Sequence, residues 1–134
     1  MEKQYLVLNS NRNEIPKFDN LLEKVNGKFN LAVEKFINLQ IACSEAIINA
    51  IVHGNKENDS KKIYIIIEYD EFLLSVRIKD EGTGFNVDAI PDPTSNENIL
   101  KESGRGIFII RSLVDDFKCI SSESGTEYDL TVKK

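Results

Sequence analysis

Glu45 and Asn49 stand four residues apart in the run Leu39-Gln-Ile-Ala-Cys-Ser-Glu-Ala-Ile-Ile-Asn-Ala-Ile-Val. On a helix that spacing puts both side chains on one face, one turn apart. A carboxylate and an amide in apolar surroundings are costly unless something satisfies them. A site holding water, metal or substrate would do so. An asparagine oxygen suits Mg2+, which prefers hard oxygen donors and keeps several waters. A glutamate can take the proton of an attacking hydroxyl. The bland alternative is a solvent-facing stripe, or a pair satisfied by neighbouring backbone.

Two glycine motifs follow. In Asp80-Glu81-Gly82-Thr83-Gly84, an acid at a strand end can accept a hydrogen bond from an exocyclic amino group such as adenine presents. The glycines Gly82 and Gly84 let backbone approach a flat base or a phosphate closely. The plain alternative is a turn leading out of a strand. Gly104-Arg105-Gly106-Ile107 opens an apolar helix. Free N–H groups and the helix dipole make an anion site there, and Arg105 adds charge. The alternative is a flexible helix start. No Gly-x-x-x-x-Gly-Lys-Ser/Thr occurs, so this is not a P-loop chain. His53 follows Asn49 at helical spacing, but a lone histidine without a visible partner reads as structural. Thr126, after Gly125, could reach the Asp80 region, or could simply favour a strand.

These residues need elements to position them. The run over 31–54 is a long helical pattern, apolar on nearly all sides at its centre, and such a helix belongs in the interior. Ile15, Phe18, Leu21, Leu22 and Val25 mark a preceding helix face, with Pro16 in its first turn and Gly27 as its stop. Residues 5–8 read as an edge strand. Residues 61–69 and 72–79 read as an antiparallel hairpin joined by Asp70 and Glu71, with no glycine to name the turn type. Residues 86–103 read as a long mobile loop, a length that is usually functional or disordered. A helix over 104–114 and closing strands over 117–121 and 127–132 complete the chain. The order predicts one α+β domain over 1–134, a two-layer sandwich with helices on one face of a mainly antiparallel mixed sheet. A Rossmann unit, which alternates strands and helices, is excluded.

Composition sets the outer limits. The chain has 134 residues and a net charge of −5, with no basic block, so nucleic acid is a poor partner. Two distant cysteines and one histidine argue against a zinc site. Cys43 lies in an apolar run and reads as a small buried hydrophobe. The N-terminus lacks the apolar stretch of a signal peptide. No run approaches a membrane span of ~18 apolar residues. A reducing, cytoplasmic location is the default expectation.

In order and spacing, the motifs together resemble the GHKL ATPase superfamily, whose fold is the Bergerat sandwich. The matching segments are Ser44-Glu45-Ala-Ile-Ile-Asn49-Ala-Ile-Val-His53-Gly54-Asn55, Asp80 to Phe85, Gly104 to Ile107 and Gly125-Thr126-Glu127. The short chain, with neither a phosphoacceptor helix domain nor a transducer domain, looks like the bacterial anti-sigma factors that are also serine protein kinases. The resemblance covers the chain from about residue 31 onward. It implies that Asn49 holds Mg2+ and Glu45 is the general base. It implies that Asp80 binds the adenine amino group, supported by Thr126, and that residues 86–103 are an ATP lid. It implies ATP and Mg2+ as cofactors, and dimers. The implied partners are a sigma factor, or a related regulator, and an anti-anti-sigma protein whose serine is phosphorylated. Two other functions stay open: a non-catalytic ATP-binding partner-switching module, and an orphan ATP-binding part of a two-component system.

Overall fold

The computed structural model describes residues 1–83 and 102–134. Gly84 and most of the expected lid lie outside the described residues, as do the side chains of residues 102–105, Arg105 among them. The elements run β1 (Glu2–Asn9), a 3₁₀ turn, α1 (Ile15–Phe29), α2 (Val33–Asn49), a π-helical turn (Ala50–Gly54), β2 (Lys62–Tyr69), β3 (Leu73–Lys79), α3 (Glu102–Leu113), β4 (Asp116–Ser122) and β5 (Gly125–Lys133).

Strand alternation decides the layers. Ile63, Ile65 and Ile67 of β2, Leu74, Val76 and Ile78 of β3, and Tyr128, Leu130 and Val132 of β5 are buried. Successive strand residues point to opposite faces, so these sets line one side of the sheet. Phe18, Leu22 and Val25 of α1, Leu39, Ala42, Cys43, Ala46 and Ile47 of α2, and Ile107 and Ile110 of α3 complete a single core against it. The other face is more open and polar: Arg77 meets Asp129 at 3.3 Å and Ser75 meets Thr131 at 3.1 Å. The strand order is β1-β2-β3-β5-β4. Every pairing among the described residues is antiparallel, so the mixed component expected in the sheet is not found there. The two-layer sandwich itself is the expected one, with β1 at an edge.

Local chemistry explains where elements end. The β2–β3 hairpin turns without glycine because Asp70 Oδ1 accepts from the N–H groups of Phe72 and Leu73, at 2.8 and 2.9 Å. Gly27 does not stop α1. The helix continues to bury Phe29 and ends at Asn30, which takes the left-handed conformation (φ 62°). Asn26 Oδ1 then caps Leu31 N–H at 2.8 Å.

The central helix is continuous from Val33 to Gly54, long and apolar enough by length and composition to cross a membrane, contrary to the expectation that no run comes close. Its buried residues Leu39, Ala42, Cys43, Ala46, Ile47, Ala50 and Ile51 instead belong to the core of the sandwich. After Asn49 the helix widens by one π turn, marked by Asn55 N–H donating to Ala50 C=O at 2.8 Å. Single π turns of this kind occur frequently at functional sites.

Candidate functional site

Three pieces of backbone meet at Asp80: the end of β3, the end of the π turn and the start of β5. Asp80 is fully buried. Its Oδ1 accepts from Gly82 N–H and Thr126 N–H, both at 2.9 Å. Its own N–H donates to Thr126 C=O at 3.1 Å. The other carboxyl oxygen, Oδ2, is buried with no hydrogen-bond partner among the described residues. Burial pushes the Asp80 carboxyl above the ordinary aspartate range, and the N–H groups of Thr126 and Gly82 pull it back. A buried acceptor left unpaired carries a desolvation cost, so a donor is missing from this corner.

Glycines make the corner possible. A Cβ on Gly54 would lie 1.9 Å from Asp80 Oδ2. A Cβ on Gly82 would lie 2.2 Å from Gly54 C=O. Gly125 has φ +129°, and a Cβ there would lie 2.3 Å from the Asp80 carbonyl. Close approach of backbone to a carboxylate is what glycine permits. All three stand in the matched segments, but of them only Gly82 was expected to line the site. Gly54 sits where a helix-ending glycine is expected, so its spacing gives no separate sign that it faces an acid. Thr126 reaches Asp80 as expected, through its backbone, while its hydroxyl lies 2.9 Å from Ser121 Oγ.

The second centre is Asn49. It is 3% exposed, and its Nδ2 is buried without a hydrogen-bond partner among the described residues. Gly106 of α3 packs directly on this amide: a Cβ there would lie 2.9 Å from Nδ2 and 3.2 Å from Oδ1. The α3 helix begins at Glu102, two residues before the motif. Gly104 and Arg105 therefore fall within the first turn, whose N–H groups have no partner inside the helix. Gly106 falls just beyond it and serves the contact with Asn49. Glu45, one turn before Asn49, is half-buried. His53 is exposed, in keeping with a residue outside the site. Cys43 and Cys119 are free thiols, and burial raises both, Cys119 to about 12.

A family model described as a histidine kinase-like ATPase domain matches residues 8–132. Anti-sigma F factors of Bacillus cytotoxicus and Bacillus thuringiensis are each 35% identical over 102 residues, 74% of this chain and 70% of the relative. The chain is a histidine kinase-like ATPase domain of the anti-sigma F factor family. Among solved structures, this ATPase domain resembles the RsbU and RsbW domains of Rv1364c from Mycobacterium tuberculosis, with TM-score 0.72 and 15% identity over 98% of this chain. It also resembles the histidine kinase domain of a blue-light activated histidine kinase from Erythrobacter litoralis, with TM-score 0.61 and 18% identity over 90% of this chain. The domain spans 32% of the first of those chains and 59% of the second, and at such identity they show the shared fold. The family and fold that the motifs implied are the ones found.

Proposed function

We propose that this domain, as a single unit over 1–134, binds ATP with Mg2+ and transfers the γ-phosphoryl group to a serine of an anti-anti-sigma protein. In the same reading it sequesters a sigma factor or related regulator and works as a homodimer in the cytoplasm. The observation that carries the nucleotide assignment is Asp80 Oδ2, a buried acceptor beside Gly54 with no donor among the described residues. An exocyclic amino group supplies the missing donor, and the flat base needs the space that Gly54, Gly82 and Gly125 leave.

The phosphate end has its own support. Asn49 has a buried Nδ2 with no hydrogen-bond partner among the described residues; that N–H suits a phosphate oxygen, and the amide oxygen is a suitable Mg2+ ligand. When bound, the ion would neutralise phosphate charge. The first turn of α3, with Gly104 and Arg105, offers N–H groups and a positive side chain to the phosphates. Glu45 takes the proton of the incoming serine hydroxyl. The serine oxygen then bonds to the γ-phosphorus as the bond to the ADP oxygen breaks. Such transfer depends mainly on positioning and charge stabilisation, so few residues are needed. The phosphoserine gains about −1.5 to −2 charge, enough to disrupt a close-packed interface with the kinase.

The test is incubation with γ-labelled ATP and a purified anti-anti-sigma protein. Label on a serine of the partner is the expected outcome. Bound nucleotide without transfer would leave a binding-only switching module. Label on a histidine would make it part of a two-component system.

A further inference from the structure

Asn55 ends the π turn and is 1% exposed. Its side chain is fully engaged. Oδ1 accepts from Glu81 N–H at 2.7 Å. Nδ2 donates to Ser10 Oγ at 2.8 Å and to Lys62 C=O at 3.0 Å. Ser10 Oγ in turn donates to Lys61 C=O at 2.6 Å. One amide thus ties the end of the central helix to the segment after β1, the start of β2 and the turn that follows β3.

The bond to Glu81 completes a pattern. The three successive N–H groups of that turn go to three different acceptors: Asp80 to Thr126 C=O, Glu81 to Asn55 Oδ1, and Gly82 to Asp80 Oδ1. Strand β5 and the carboxylate fix the outer two. Among the described residues, Asn55 Oδ1 is the acceptor for the middle N–H, that of the Asp80–Glu81 peptide. Gly54, next to Asn55 in sequence, faces Asp80 Oδ2, and its carbonyl lies against Gly82. Asn55 therefore sets both the peptide plane after Asp80 and the helix end in front of it.

We infer that Asn55 is a positioning residue for the Asp80 carboxylate: it holds the Asp80–Gly82 turn and Gly54 in the register that leaves Oδ2 facing the base. The inference rests on the nucleotide reading above. Asn55 acts through Glu81 and Gly54 rather than by touching ligand. An amide suits the place, because one end must accept from an N–H while the other donates to a hydroxyl and a carbonyl.

The experiment compares Asn55→Ala, Asn55→Asp and Ser10→Ala with the unaltered domain, by calorimetric titration with ADP and by thermal unfolding without nucleotide. Ser10→Ala breaks the same buried network on the side away from Asp80. It is expected to lower the melting midpoint and leave ADP affinity unchanged. Asn55→Ala is expected to weaken ADP binding by roughly tenfold or more, since the loss of one buried hydrogen bond is compounded by displacement of the carboxylate. Asn55→Asp keeps an acceptor for Glu81 N–H and loses the donor to Ser10 and Lys62. It is expected to lower the midpoint while retaining ADP affinity, and it keeps the test decisive if Asn55→Ala does not fold. Equal ADP affinity in Asn55→Ala and the unaltered domain would overturn the inference. So would an equal loss of affinity in Ser10→Ala, or a tenfold loss in Asn55→Asp. Failure of ADP to bind the unaltered domain would instead overturn the nucleotide reading itself.

Discussion

Replacing Gly54 with alanine puts a methyl carbon 1.9 Å from Asp80 Oδ2 and 2.4 Å from its Cγ. Gly54 does not have a positive φ, so alanine suits the backbone and the collision is the whole effect. Real Cβ atoms essentially never come closer than 3.0 Å to such neighbours. The carboxyl group must therefore move by about 1 Å, and a misplacement of that size can cost ~100-fold in function. Its bonds to Gly82 and Thr126 N–H, each 2.9 Å, tolerate little displacement. Gly54→Ala should weaken ADP binding by on the order of 100-fold, about 2.7 kcal/mol. Titration calorimetry reads this directly, with circular dichroism to verify the fold. The same change in an Asp80→Ala background should have little further effect, because the nearest remaining neighbour is the residue-80 Cβ at 3.1 Å. Wild-type affinity in Gly54→Ala, or an undiminished effect of Gly54→Ala without the Asp80 carboxylate, would refute the steric argument.

Other expectations are more direct. Asp80→Asn should weaken ADP binding by roughly 1.5–3 kcal/mol, one charge-assisted hydrogen bond. It should also raise the thermal midpoint of the nucleotide-free domain, because it removes a buried charge; a midpoint that falls would contradict the burial cost read from the structure. The raised Asp80 carboxyl fixes the sign of the pH dependence. The native state binds this proton more readily than the unfolded chain, so Asp80 lowers stability progressively as pH rises through its folded value. ADP affinity should run the opposite way and fall on acidification, beginning above the ordinary aspartate range; a flat profile from neutral to pH 4 would count against Asp80 as acceptor. Glu45→Ala should keep ADP affinity and lose phosphotransfer to the serine partner, and unchanged turnover would remove Glu45 as the base. Gly106→Ala pushes on the Asn49 amide from 2.9 Å. It should impair Mg2+-dependent ATP binding more than Mg2+-free ADP binding, a contrast visible by titration with and without chelator.

Much of this site was legible because its chemistry has a fixed order along the chain. Glu45 and Asn49 advertise themselves as polar residues at one-turn spacing inside an apolar helix. Asp80 stands at a strand end before two glycines. Gly54 and Asn55 stand in the matched segment without an assigned role, and Ser10 was silent, for one physical reason: each acts through contacts made across long stretches of sequence. The Ser10–Asn55 bond joins residues 45 apart, and Glu81 reaches Asn55 across 26. Spacing rules describe neighbours on one helix or strand and carry no such information. The end of α1 failed differently. Gly27 is locally a good stop, but burial of Phe29 and the Asn30 cap outweighed it. The hairpin was legible from its two apolar runs, while its turn waited on the Asp70 side chain.

The π turn bears on the distance between the two halves of the site. Asn49 and Gly54 are five residues apart, with one wide turn beginning directly after Asn49. Continued in α geometry, the later residue would be rotated by about 140° around the axis from the earlier one. An i to i+5 turn brings it back over nearly the same side. The widened turn thus works as a gauge between Asn49, proposed for the phosphate end, and Gly54, which lies against the carboxylate proposed for the base. The loss of one residue from Ala50–Gly54 would leave each half chemically intact and their spacing wrong, so that a ligand could satisfy either end but not both.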